Sequence, residues 1–455
     1  MSDTEKVCEK IRTAVTDSED RSRYEQVKAL LLDSSRYGKK HSIEEAANFL
    51  RVLGNPCSDR KIIHVAGTNG KGSVCAYLES VLRTAGYRTG MFTSPHLVTM
   101  RERIRMNGEM IGRADFVRYF NTVERQLQTD SPEERSYRPA FFEMLFFMAL
   151  LCFEENDIDV ILLETGLGGR LDVTNCVSRK ELCIITEIGL DHTEYLGNTI
   201  AKIAGEKAGI LRQGVPVVFA DHNREASAVI AKKAGQLACP VFSVSNCDVR
   251  KLEFHKKFID FSFNTRYYGY IKCLLKTCAS YQTENAALAL RALDVLGDRL
   301  PVSEKALAFG MARAHWQGRM DEVVPDVFID GAHNEDGILA FLDTVRRDGC
   351  RGRRLLLFSA VREKQYREIA GLIRNEELFD RIYLTKMQNT RSLSRQELQE
   401  AFGAPKKGVV CGFDSTGEAL QAMMGSRRPG DKAYIAGSLY LAGEVIDDIK
   451  RNRYD

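Results

Sequence analysis

The chain has 455 residues, 44% hydrophobic and 28% charged, and its 65 basic and 62 acidic side chains leave a formal charge of +3. That length asks for two domains rather than one core, and the near-balance of charge gives no footprint for a nucleic-acid partner. No run reaches the roughly 20 apolar residues that cross a bilayer, and the polar residues 1–23 lack a signal-peptide core, so no membrane partner and a cytoplasmic location are expected.

The first informative element is the apolar string Ile62-Ile63-His64-Val65, which reads as a buried strand, followed by a helix over residues 74–85 closed by Gly86. Between them lies Gly67-Thr68-Asn69-Gly70-Lys71-Gly72-Ser73. A glycine turn between strand end and helix start offers free backbone N–H groups and the positive end of a helix dipole to an anion. Lys71 adds a point charge, and the Ser73 hydroxyl can face a phosphate or its magnesium, so the turn suits a nucleoside triphosphate. It departs from the ordinary Walker A string, because Gly72 separates Lys71 from Ser73 and the spacing before Gly70 is shorter.

Residues 88–92 read as another strand running into Thr93-Ser94-Pro95-His96-Leu97, locally an ordinary proline-restricted turn. Arg101, Arg103 and Arg105 follow and read as a solvated face. The strand over 160–163 ends in Glu164 and opens into a glycine-rich loop through Leu171, Asp172, Val173, Thr174 and Asn175. The carboxyl ends of parallel strands line a ligand crevice, which places Glu164 to hold a metal. The strand over 182–186 runs into Glu187 and on to Asp191-His192, where His192 can add an imidazole to a hard oxygen site, although a lone histidine is more often structural. Lys207, among small residues at helical spacing, reads locally as solvated.

A strand at 215–220 continues the rhythm, and residues 248–276 alternate apolar with polar as antiparallel hairpins do. Helix-like segments over 284–296 and 303–314 lead to His315-Trp316-Gln317-Gly318-Arg319, where the domain boundary is placed: 1–317 and 318–455. Further strands at 327–329, 355–358, 381–385, 409–411 and 433–436 describe a second, smaller domain, with polar groups at strand ends in the string from Asp330 to Asn334 and in Gly437-Ser438-Leu439-Tyr440. Strands alternating with helices imply α/β architecture with parallel sheets. The twelve cysteines include no CxxC pair, and Cys75, Cys152 and Cys183 lie in apolar runs, so neither a disulfide framework nor a zinc site is indicated.

These strings, taken in order from about Tyr37 to Glu444, resemble the folylpolyglutamate synthase and dihydrofolate synthase family of the Mur ligase superfamily. The resemblance implies an α/β fold: a Mur-ligase-type P-loop ATPase domain with a parallel-sheet core, followed by a smaller Rossmann-like domain. It implies that Gly67 to Ser73 cradle ATP phosphates, that Ser94, Glu164 and His192 hold magnesium, and that Asn285, Arg319 and Asp330 contact ATP across a cleft. Leu171, Asp172, Val173 and Thr174 correspond to a pterin-substrate loop, and Lys207 to a lysine carboxylated on its amine. Lys71, His192 and Lys207 are thereby the expected catalytic groups.

The implied reaction is phosphorylation of a carboxylate by ATP and capture of the acyl phosphate by L-glutamate, with tetrahydrofolate or dihydropteroate as acceptor and a monomeric enzyme. The alternative is a Mur-type ligase acting on a cell-wall precursor, against which the strings at 93–97 and 171–175 stand. Two segments only approximate the family pattern: Tyr37-Gly38-Lys39-Lys40, and Ser359 to Lys364, where Glu363 replaces an aspartate and Lys364 is expected near the transferred phosphoryl group.

Overall fold

The computed structural model describes residues 3–33, 41–127, 137–255, 257–404 and 407–452, so the Tyr37 to Lys40 string lies outside the described residues. The chain builds strands β1 (Lys61–Ala66), β2 (Thr89–Phe92), β3 (Ile104–Met106), β4 (Glu109–Met110), β5 (Val160–Glu164), β6 (Leu182–Ile185), β7 (Val217–Ala220) and β8 (Val241–Val244) into one sheet ordered β4-β3-β2-β5-β1-β6-β7-β8. From β2 to β8 neighbouring strands are parallel, while β3 and β4 close one edge antiparallel. Strands buried on both faces read as continuous apolar runs, as β1 and β5 do.

Period-two alternation sorts β1 between two layers. Ile63 and Val65 pack with Val74, Leu78 and Val81 of the helix Lys71–Thr84 on one face. Ile62 packs on the other with Ile161, Leu163 and the apolar helix Phe141–Glu155, which contributes Phe146 and Phe147. That helix is apolar nearly all round because it is buried; among the described residues no helix is long and apolar enough to cross a membrane.

Strands β9 (Val249–Phe254), β10 (Ile259–Asn264) and β11 (Tyr270–Leu275) form an antiparallel three-stranded sheet, in accord with the alternation in the sequence. Strands β12 (Asp321–Val324), β13 (Val327–Ile329), β14 (Arg354–Phe358), β15 (Arg381–Thr385), β16 (Val409–Phe413) and β17 (Lys432–Ala436) form the last sheet, ordered β12-β13-β17-β14-β15-β16 and parallel except for β12. Two element boundaries differ from expectation. The phosphate-loop helix starts at Lys71, three residues early, because Gly70 caps it in a left-handed conformation. Strand β7 starts at Val217, because Val215 N–H closes a turn on Arg212 O and Pro216 has no N–H to give the ladder.

The strand order positions the site. β1 lies between β5 and β6 with Val65 level with Glu164 and Ala66 level with Ile185, so three carboxyl-terminal loops leave the sheet side by side. This is the crevice in which open parallel sheets bind ligands.

Candidate active site

The loop after β1 is braced by the loop after β6. Thr68 N–H donates to Glu187 O (2.8 Å), Thr68 Oγ1 donates to Gly189 O (3.1 Å), and Thr186 Oγ1 donates to Asn69 O (2.6 Å). Gly70 sits at φ +88°, and a Cβ there would collide with the Asn285 amide, so the turn needs glycine both for its conformation and for the approach of Asn285. Gly72, the departure from Walker A, has an equally concrete cause: a Cβ would stand 2.7 Å from Trp316 Nε1, and the indole packs on the bare backbone. Ser73 is buried, and its hydroxyl accepts from Gln282 Nε2 (3.2 Å). Lys71 Nζ donates to Gly67 O and Thr68 O, both at 3.0 Å. Burial lowers its ammonium pKa, against the opposing pull of Glu164 and Asp191.

Glu164 is buried at the end of β5, and its carboxylate accepts from Ser94 N–H (3.0 Å). Burial raises its pKa, opposed chiefly by Lys71. His192 is half-exposed at φ +50° before the helix Thr193–Leu196. Partial burial, with Lys364, His333 and Lys71 and against Asp191, lowers its imidazole to about 4, so it is neutral at physiological pH. Ser94 and Glu164 are thus in direct contact, whereas His192 keeps company with Asp191; Lys71 is the charge that both groups feel. Among the described residues no three His, Cys, Asp or Glu are arranged to hold a metal.

Lys207 is not solvated. It lies on the buried face of the helix Ile200–Ala208 with Ile203, Ala204 and Ala208, and its Nζ donates to Gly67 O (2.6 Å). Burial, and then the charge of Lys71, push its pKa well down. The spacing 203, 204, 207, 208 is one helical face, a signal present in the sequence. The arginine cluster is likewise no solvated face: Arg103 is 8% exposed, with Nε donating to His96 Nδ1 (2.9 Å), and Arg105 is half-buried with its guanidinium 5.4 Å from the Trp316 ring centroid. Of Leu171, Asp172, Val173 and Thr174 in the loop after β5, only Leu171 is exposed. Asp172 caps the turn by accepting from Gly166 N, Leu167 N and Thr174 N, Val173 packs in the core, and Thr174 links Asp172 to His64 Nε2 (2.8 Å).

The second sheet closes the site from above. Asn69, Gly70, Asn285, Tyr281, Arg319 and Asp330 line one cleft. Asp330 is buried and accepts from Met320 N (3.0 Å), Ala332 N (2.8 Å) and the Tyr281 hydroxyl, which ties the connection between the sheets to the helix Gln282–Leu296. In the same cleft burial beside Asp336 and Glu284 pushes Glu187 up to about 7.

Asp191 is the group that sequence reasoning passed over. It pairs with Lys364 Nζ, accepts from Asn334 Nδ2 (3.3 Å) and lies 3.7 Å from His333 Nε2, while Asn334 Nδ2 also reaches Asn69 Oδ1 (3.0 Å). These contacts hold its carboxyl far below the usual carboxylate range against the penalty of burial. Its neighbour His192 was the only local cue.

A second closure contact is steric. Gly443 lies inside the helix Leu439–Asn452, and a Cβ there would collide with Leu97 O of the turn that carries Ser94. Alanine favours a helix interior over glycine by roughly 1 kcal/mol. Gly443→Ala is therefore expected to keep the helix but displace it from the Leu97 turn, lowering turnover by on the order of a hundredfold through misplacement of the second domain. Wild-type turnover, measured alongside thermal melting, would remove Gly443 from the closure surface.

Comparison with known proteins agrees with this geometry. The Mur ligase middle domain model matches residues 65–293, and the Mur ligase glutamate ligase domain model matches 317–439. The dihydrofolate synthase/folylpolyglutamate synthase of Bacillus subtilis is 33% identical over 433 residues, covering 94% of this chain and 99% of that one. E. coli FolC in complex with DHPP and ADP superposes with a TM-score of 0.82 at 29% identity, covering 94% of this chain and 98% of FolC. Mycobacterium tuberculosis folylpolyglutamate synthase complexed with ADP gives 0.85 at 26% identity, with the same 94% and 98% coverage. The chain belongs to the folylpolyglutamate synthase and dihydrofolate synthase family of Mur ligases.

Proposed function

We infer that the chain is an ATP-dependent ligase that joins L-glutamate to the glutamyl carboxylate of a reduced folate through an acyl phosphate, a folylpolyglutamate synthase. The observation that carries this reading is the meeting of Lys71, Glu164 and the Asp191–Lys364 pair where the two sheets face each other. The name of the B. subtilis relative adds dihydrofolate synthesis from dihydropteroate, which uses the same chemistry on an aromatic carboxylate. No feature of the cleft favours a cell-wall precursor.

A carboxylate is a poor electrophile and an ammonium has no lone pair, so amide formation needs activation first. The electrostatic difficulty is the approach of an anionic carboxylate to an anionic triphosphate. Lys71 and the N–H groups of residues 67–73 meet the phosphates, and Asn285, Arg319 and Asp330 hold the nucleotide from the other side of the cleft. A buried carboxylate, a seryl hydroxyl and a neutral imidazole form a donor set that suits magnesium, so Ser94, Glu164 and His192 would hold it. Bound there, it would neutralise charge on the transferred phosphoryl group. Lys364, steered by Asp191, reaches the same region from the second domain. Leu171 offers the exposed contact of the substrate loop, while Asp172, Val173 and Thr174 shape it. Lys207 supports the phosphate loop as a carbamate. We divide the domains at 317/318 and read the enzyme as a cytoplasmic monomer.

ADP release with L-glutamate and tetrahydrofolate, and separately with dihydropteroate, tests the assignment. Release that depends on L-glutamate with at least one acceptor is the expected result; none with either would overturn it.

A further inference from the structure

Resting on the ligase reading, we propose that Arg105, seated on Trp316, binds the spare carboxylate of the acceptor's glutamyl group and so selects glutamylated acceptors. A cleft opens from Glu164 and Ser94 toward Arg105, Trp316, Glu102 and Arg319. It adjoins the phosphate loop on the Gly72 side, and the nucleotide cleft shares with it only Arg319. A carboxylate that takes a phosphoryl group beside Lys71 and Glu164 therefore brings the rest of its molecule into this space.

Two cations face the cleft. Arg319 serves both clefts, which leaves Arg105 as the cation particular to this one. Its Nε donates to Glu102 O (3.3 Å), and no ion pair among the described residues takes its Nη groups. The indole below and the carbonyl beside it fix the side chain before a ligand arrives, and burial makes its charge harder to satisfy with water. The carboxylates whose charge reaches Arg105 have their hydrogen bonds elsewhere: Glu102 accepts from Leu97 N, Val98 N and Thr99 N at 2.8–2.9 Å, and Glu79 from Arg83 Nε and Thr89 Oγ1. A planar fork with free N–H ends matches a carboxylate. Trp316 in turn rests on Gly72, so the glycine that breaks the Walker A spacing is also what seats the Arg105 platform.

The chemistry of the two acceptors makes this testable. A glutamylated folate ends in two carboxylates on one short chain: one is activated and the other must be neutralised. Dihydropteroate ends in a single aromatic carboxylate and has no spare one. Trp316 is the only tryptophan in the chain, so its fluorescence reports binding at the faces it lines, this cleft among them.

Dihydrofolate and dihydropteroate, which share their ring system, are titrated into wild type, Arg105→Met and Arg105→Lys with ADP present, and KM values for ATP and L-glutamate are measured in parallel. For Arg105→Met the dihydrofolate Kd is expected to rise on the order of ten- to a hundredfold, with dihydropteroate within about threefold of wild type, the scale of one charge-assisted hydrogen-bonded pair. Arg105→Lys should recover part of the loss, and KM for ATP should not move. Equal weakening of both acceptors, no weakening of dihydrofolate, or a rise confined to KM for L-glutamate overturns the assignment while leaving the ligase reading intact. A wild-type enzyme that binds neither acceptor overturns both.

Discussion

Lys71→Ala is expected to lower turnover by on the order of a hundredfold or more without loss of the fold. The side chain is the first of the helix Lys71–Thr84, where alanine is a good helix former, so local structure has no need of lysine. Electrostatics does need it. Lys71 is the cation that both Glu164 and His192 feel, and it faces Asp191 as well. Its ammonium already donates to the carbonyls of Gly67 and Thr68, which aims it along the loop toward the phosphates. Removing it leaves Glu164, which is buried, and the incoming phosphates to repel one another where charge interactions are stronger than in water. Arginine should not restore activity, because the pocket formed by the loop carbonyls fits an ammonium rather than a planar fork. ADP release measured with thermal melting checks this: near wild-type turnover would end the assigned role, and a collapsed melting temperature would make the residue structural.

The second large effect is expected at Lys207. A primary amine adds carbon dioxide only as the free base, forming an N–C bond and releasing a proton to leave a carbamate anion. Burial, and then the charge of Lys71, push the Lys207 pKa well down, which lowers the usual obstacle for a lysine. The nitrogen of a carbamate keeps one hydrogen, enough to preserve donation to Gly67 O. The modified side chain would then bring a negative charge beneath the phosphate loop, opposite Lys71.

Lys207→Ala should therefore lose turnover by about a hundredfold or more, comparable to removal of a preorganised charged group. In carbon-13 bicarbonate the wild type should show a carbamate resonance that Lys207→Arg lacks. Full activity in buffer stripped of carbon dioxide, with no such resonance, would reduce Lys207 to a neutral strut under Gly67.

The glycine turn at residues 67–73 was legible because its evidence is local. Glycines, a lysine and a hydroxyl between a strand and a helix declare a backbone conformation whatever packs around them, and Gly70 at φ +88° shows the need they express. The parallel-sheet rhythm and the antiparallel hairpins at β9 to β11 were legible because side-chain periodicity reports which faces are buried. Lys207 stood on the boundary. Its helical spacing placed it with Ile203 and Ala204, but a lone lysine is ordinarily solvated, and that expectation prevailed over the pattern.

By itself, then, the sequence determined the fold class, the glycine turn at residues 67–73 and the family, since each follows from backbone conformation, periodicity or the order of motifs along the chain. Only the tertiary structure decided which charges share a site. Asp191 and Lys364 are 173 positions apart, and no periodicity links them; the β5-β1-β6 strand order and the facing of two sheets bring them together. The same holds for Arg103 and Arg105, whose spacing suits a solvated face until Phe141 lies beside Arg103 and Trp316 arrives from beyond residue 300 to cover Arg105. Burial and electrostatic partnership belong to the meeting of distant surfaces, and that meeting is set by how the sheets close.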